Sequence, residues 1–130
     1  MIIGTGIDLV ETERMRRALK SPAFVRRVFT PEEQVYCKSC GAQLVQSFAA
    51  RYAAKEAVMK SFGVGIFQGA FTDIEVIHQP SGAPTLQLGG WFAARAAELG
   101  VTATHLSLSH TRHYGAAFCV LEREAGEEKA

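Results

Sequence analysis

The sequence predicts a small α+β domain in which helices pack on an antiparallel sheet. Three observations carry that expectation. Residues 2 to 10 are β-branched and apolar types with two glycines, which suits a buried strand. Residues 43 to 62 place apolar side chains at helical spacing over five turns, and four shorter strand patterns in the second half fall into two pairs, each joined by a turn. A chain of 130 residues, 48% of them apolar, can bury one modest core and is short for two. We therefore expect one domain over residues 1 to 122 and a frayed, charged tail over 123 to 130.

After the first strand, Met15, Ala18 and Leu19 recur at helical spacing between residues 11 and 20, with Thr12 as a candidate cap. Ser21-Pro22 opens a second short helix. Thr30-Pro31-Glu32-Glu33 repeats the signal with a cap residue, proline at the first helical position and acids in the first turn. In the long helix, Leu44, Phe48, Tyr52 and Met59 lie on or near one face, and Gly63 follows as a C-cap. Strands are expected at 71 to 77 and 85 to 88, about a turn at Pro80-Ser81-Gly82. An amphipathic helix at 91 to 99 ends at Gly100, and strands at 105 to 109 and 115 to 121 flank a polar turn at Thr111 to His113.

No apolar run reaches the roughly 20 residues needed to span a bilayer, and Ile2-Ile3-Gly4 is not a basic lead into a signal core, so a cytoplasmic protein without a membrane partner is expected. Cys37 and Cys40 have the spacing of half a zinc site but no second pair completes it; ordinary reduced thiols are the expectation for all three cysteines. Net charge is near zero yet uneven. Residues 1 to 60 carry ten Lys/Arg against six Asp/Glu, and residues 61 to 130 carry four against seven. The excess sits in Arg14, Arg16, Arg17, Lys20, Arg26 and Arg27, a patch suited to a polyanion, whether nucleic acid or an acidic protein surface. No nucleic-acid motif is present, so no nucleic-acid partner is expected.

Three features could carry chemistry. Asp8 is a carboxylate in an apolar, glycine-containing strand, where it calls for a compensating cation. Glu56 and Lys60 stand at i and i+4 on one face of the long helix, a pair that by itself equally describes an exposed ion pair. Two carboxylates from different elements suit magnesium, a hard ion that completes its shell with water and substrate oxygens, and a lysine one turn away suits a bridging phosphate. In His105-Leu106-Ser107-Leu108-Ser109-His110-Thr111, alternation puts Ser107, Ser109 and Thr111 on one face, and these hydroxyls with His110 and Arg112 could hold phosphate oxygens. The glycines of Gly63-Val64-Gly65 could let a ligand approach the backbone. A metal-dependent phosphohydrolase would use similar carboxylates; the separate basic helix favours a macromolecular acceptor over water.

Taken together, Gly4-Thr5-Gly6-Ile7-Asp8-Leu9-Val10-Glu11, then Phe48-Ala49-Ala50-Arg51-Tyr52-Ala53-Ala54-Lys55-Glu56-Ala57 with Lys60, then Ser107-Leu108-Ser109-His110-Thr111, resemble the holo-acyl-carrier-protein synthases of the 4′-phosphopantetheinyl transferase superfamily in order, spacing and length. The resemblance covers residues 1 to about 122. It implies the phosphopantetheinyl transferase fold, a homotrimer with active sites at subunit interfaces, and transfer of phosphopantetheine from coenzyme A to a serine of apo-acyl carrier protein. It implies Asp8 and Glu56 as magnesium ligands and Asp8, Glu56 and Lys60 as the catalytic set. Coenzyme A would meet Lys60, Arg51, Gly63, Gly65, Pro84, Ser109, His110 and Thr111, with the His110 segment supplied by a neighbouring subunit. The acidic helix of the carrier protein would dock on Arg14, Arg17, Lys20 and Arg27. Where the family commonly reads Asn-Gly-Lys-Pro, this chain has Ser81-Gly82-Ala83-Pro84, so a lysine is absent there.

Overall fold

The structure, a computed structural model, describes residues 1 to 63 and 68 to 124. Strand β1 (Ile2–Glu11) leads into three short helices, α1 (Thr12–Ala18), α2 (Pro22–Val28) and α3 (Pro31–Lys38). A 3₁₀ turn at Gly41–Gln43 opens the long helix α4 (Leu44–Ser61). Then come the hairpin β2 (Ile74–His78) and β3 (Pro84–Leu88), helix α5 (Gly90–Leu99), and strands β4 (Ala103–His110) and β5 (Tyr114–Glu122). Among the described residues the strands form an antiparallel three-stranded sheet in the order β1-β5-β4 and the separate two-stranded hairpin β2-β3. This is the α+β architecture that the sequence predicts.

Helix α4 packs along β1 and β5 at backbone-contact distance, and glycines make that possible. A Cβ added to Gly6 would lie 1.9 Å from the Ala57 carbonyl oxygen, one on Gly4 would lie 2.0 Å from that of Ser61, and one on Gly115 would lie 2.5 Å from the Ala50 nitrogen. The facing helix surface is correspondingly small-sided, with Ala49, Ala50, Ala53, Ala54 and Ala57 all buried. Two strand residues advance about 6.6 Å and four helix residues about 6 Å, so the contacts Gly4 to Ser61 and Gly6 to Ala57 extrapolate to Asp8 beside the turn that ends at Glu56. The glycines therefore set which carboxylates meet.

Three expectations change. The apolar stripe on the long helix is instead near-complete burial: Arg51, Lys55 and Ser61 are enclosed along with Phe48, Val58 and Met59, because sheet, hairpin and α1 to α3 surround α4. Thr12 does not cap α1; it is the first helical residue, buried, and its hydroxyl donates to the Arg112 carbonyl at 2.8 Å, tying α1 to the β4–β5 turn. Phe71–Asp73 is a 3₁₀ turn, so β2 begins at Ile74. Elsewhere the turn chemistry acts as expected: Gly63 has φ +75° just past α4, and Gly100 caps α5 at φ +76°.

The acids of the third helix divide. Glu32 stays exposed, whereas Glu33 closes a capping box with Thr30 and is buried. One Glu33 oxygen accepts from Lys55 Nζ at 2.8 Å and from the Thr30 N–H at 2.9 Å; the other accepts from the Val76 N–H at 2.8 Å. Lys55 also donates to the carbonyls of Phe71, at 3.0 Å, and Ile74. Burial pushes the Lys55 ammonium below its ordinary range, and the Glu33 carboxylate pulls it back up. Arg51 Nε lies 3.6 Å from Glu33, an electrostatic contact too long for a hydrogen bond, while its Nη2 donates to the Val76 carbonyl at 2.8 Å. Charges so enclosed persist because each has partners; removing one strands the other.

Two stability predictions follow from these contacts. Gly6→Ala drives a Cβ into backbone and should cost about 3 kcal/mol in urea unfolding. Lys55→Met leaves the Glu33 carboxylate buried without its ammonium and should cost about 3 to 5 kcal/mol by the same measurement.

Candidate active site

Asp8 and Glu56 line one cleft of about 300 Å³, with Leu9, Val10, Arg14, Met15, Ala18, Phe24 and Tyr52. Strand β1 supplies Asp8, α4 supplies Tyr52 and Glu56, and α1 with α2 forms the opposite wall. Lys60 meets Asp8 and not Glu56: its Nζ donates to Asp8 Oδ1 and to the Ile7 carbonyl, both at 3.0 Å. The reading of Glu56 and Lys60 as an exposed i,i+4 ion pair is thereby replaced by a cross-element pair.

Burial raises the Glu56 carboxyl above the usual carboxylate range; a hydrogen bond from Tyr52 lowers it, the Asp8 charge raises it and Lys60 lowers it. Burial and then Glu56 push the Tyr52 hydroxyl up to about 12, so it remains a proton donor toward Glu56. The Tyr52 ring is stacked at 5.6 Å on Phe71 and lies 6.0 Å from Phe24, which fixes the hydroxyl over the cleft. The sequence places Tyr52 on the apolar face of the long helix; its position four residues before Glu56 is what brings its hydroxyl into the cleft.

Ser109 and His110 lie elsewhere. With Tyr36, Cys40, Gln43, Ser47, Ala50, Arg51, His78 and Leu108 they line a second cavity of about 200 Å³. Arg51, 2% exposed, reaches His78 Nδ1 at 3.2 Å and stacks over Tyr36 at 4.5 Å, while its Nε has no hydrogen-bond partner among the described residues. Pro84 pairs with His78 across the hairpin and so borders this region. The Thr111 hydroxyl accepts from the N–H groups of His113 and Tyr114, holding the β4–β5 turn. Gly63 ends α4; Gly65 lies outside the described residues.

The basic residues are spread over α1, α2 and the turn between them. Arg14 lines the carboxylate cleft, Arg17 pairs weakly with Glu13 at 3.9 Å, Lys20 is exposed, and Arg27 sits 5.8 Å over the Phe24 ring. Cys37 and Cys119 are buried free thiols; burial pushes Cys37 up to about 11, which keeps it protonated and inert.

As a donor set, two carboxylates on one cleft fit a hard, oxygen-seeking cation, and the Lys60 ammonium on Asp8 marks where positive charge is already drawn. Among the described residues no group of three or more His, Cys, Asp or Glu gathers, so such an ion would complete its shell from water and substrate oxygens. Paired acids, an ammonium on one of them and Arg14 on the wall together offer both a cation site and positive charge for phosphate oxygens.

The chain belongs to the 4′-phosphopantetheinyl transferase superfamily, whose family model matches residues 4–119. It is 45% identical over 125 residues to the holo-[acyl-carrier-protein] synthase of Koribacter versatilis, covering 94% of this chain and 99% of that protein. Among solved structures, that of the Neisseria meningitidis holo-[acyl-carrier-protein] synthase is 35% identical, covering 95% of this chain and 100% of that chain with a TM-score of 0.84. The Bacillus anthracis holo-(acyl-carrier-protein) synthase, solved in complex with CoA (3′,5′-ADP), is 35% identical, covering 95% and 99% with a TM-score of 0.80. Among the described residues no helix is long and apolar enough to cross a membrane.

The raised Glu56 carboxyl gives a signed prediction. Its ionisation is harder in the folded than in the unfolded chain, so it contributes instability that appears as pH rises from the unfolded to the folded value and persists above. Glu56→Gln should therefore melt no lower than the parent at neutral pH, with the difference closing below the ordinary carboxylate range.

Proposed function

We propose that this chain is a cytoplasmic, magnesium-dependent holo-acyl-carrier-protein synthase that transfers 4′-phosphopantetheine from coenzyme A to a serine of apo-acyl carrier protein, releasing adenosine 3′,5′-bisphosphate. The observation that carries the proposal is the meeting of Asp8 and Glu56 in one cleft, with Lys60 on Asp8 and Arg14 on the wall. Family membership and the CoA complex of the Bacillus anthracis relative support the choice of donor.

In this reading the serine Oγ attacks the phosphorus that carries the pantetheine arm, the P–O bond inside the pyrophosphate breaks, and the serine proton passes to Glu56 directly or through a water. Lys60 balances charge on the departing phosphate. Asp8 and Glu56 would hold magnesium, which supplies Lewis-acid stabilisation of the phosphoryl oxygens. Arg14, Arg17, Lys20 and Arg27 give the carrier's acidic helix a positive surface beside the cleft.

We place the nucleotide between chains, with Arg51, Pro84, Ser109, His110 and Thr111 of one subunit facing the carboxylates of the next, in a homotrimer. Two observations support this. The cavity lined by Arg51, Ser109 and His110 is separate from the Asp8 cleft within the chain. On the sheet face turned away from α4, Ile7 and Leu9 are 66% and 63% exposed, and Phe118, paired with Ile7, is 44% exposed, a patch that invites cover by another copy.

Incubation with coenzyme A, magnesium and apo-acyl carrier protein should add the mass of phosphopantetheine to the carrier. A carrier of unchanged mass beside an active control enzyme would refute the transferase, and free phosphopantetheine in the supernatant would favour a hydrolase. Asp8→Asn should slow the reaction at least about 10²-fold. Arg14→Glu should instead raise the KM for the carrier about tenfold with kcat little changed.

A further inference from the structure

The Lys60 ammonium is committed to two acceptors on β1. It spans from α4 to β1, with Nζ 3.0 Å from Asp8 Oδ1 and 3.0 Å from the Ile7 carbonyl. The two partners differ in environment: the Asp8 side chain is 18% exposed and that of Lys60 is 53% exposed. A carboxylate so withdrawn from water needs a counter-ion, and Lys60 supplies it from the solvent side. Glu56, across the same cleft, lies near the Tyr52 hydroxyl instead. Among the described residues, Asp8 is the one of the two proposed metal ligands that carries an ammonium.

We propose that Lys60 is an internal cation latched on Asp8, displaced when a divalent ion takes that carboxylate and received by the pyrophosphate of the incoming substrate. The proposal rests on the metal and coenzyme A assignments above and adds a linkage between them. A dication at Asp8 repels the ammonium from its carboxylate, while a bound pyrophosphate offers it a new anionic acceptor. Metal binding without substrate therefore has to strip Lys60 from Asp8 with nowhere favourable for it to go. With substrate present the same move makes a contact. Each ligand thus strengthens the other, and by linkage the strengthening is reciprocal. The exposed path of the lysine lets it leave without uncovering buried charge elsewhere, since Glu33 and Lys55 form a closed network on another side of α4.

The test is manganese binding, followed by electron paramagnetic resonance without carrier protein, so that no turnover occurs. Lys60→Met and Lys60→Gln should bind manganese alone about tenfold more tightly than the parent, because the competing cation is gone. Arg14→Met removes a cation from the same cleft without touching Asp8, and should stay within about twofold of the parent. Coenzyme A should tighten manganese binding in the parent by a larger factor than in either Lys60 variant. Manganese affinity that is unchanged or weaker in both Lys60 variants, or that tightens equally in Arg14→Met, would overturn the latch and leave the metal site standing. Absence of manganese binding in every protein, with and without coenzyme A, would overturn both.

Discussion

A carboxylate closed off from water, that of Glu33, holds the rest of the molecule in place. It takes the Lys55 ammonium and lies against the Arg51 guanidinium, both on α4, while bonding the backbone of β2 at Val76 and the start of α3 at Thr30. A helix gripped by two residues one turn apart cannot rotate about its axis. Lys55 fixes the azimuth of its neighbour Glu56, roughly 100° further round, and Arg51 fixes the wall of the second cavity. One buried anion thus orients both cavities. Such a cluster adds little net stability over well-packed apolar residues but heavily penalises any arrangement that leaves a charge unpaired.

The sheet provides the other constraint. Its inner face is stripped to glycine at residues 4, 6 and 115 so that α4 lies directly on the backbone, and this closeness brings Asp8 level with Glu56. Its outer face carries Ile7, Leu9 and Phe118 into solvent. Alternation along β1 therefore turns Asp8 toward the cleft it shares with Glu56 and leaves the opposite face apolar and exposed, with Lys60 bound to Asp8 at the end of the inner one.

The fold was largely legible in the residues, because it is written in local signals: proline at helix starts, glycine at helix ends, and turn residues between alternating strands. The meeting of Asp8 with Glu56 was foreshadowed as well, since Asp8 is chemically out of place in its strand and calls for charged company. What was not legible is where charges without local partners go. Lys55 and Glu33 stand 22 positions apart, and no periodicity announces that they pair in the core. Likewise the spacing of Glu56 and Lys60 pointed to a pair that the strand intercepts, because Asp8 reaches Lys60 across elements. Tyr52 escaped notice for a related reason: its ring reads as core, and only the fold turns its hydroxyl toward Glu56.

If a working site is built from the carboxylate cleft of one chain and the Ser109–His110 cavity of another, two differently inactivated chains restore it when they assemble together. Chains carrying Asp8→Asn and chains carrying His110→Ala, each inactive alone, can be unfolded, mixed in equal amounts and refolded, and carrier-protein modification then measured. Random assortment should return about a quarter of the parent activity, since each interface draws one intact half from either chain. If both halves belong to one chain, the mixture will stay as inactive as its components.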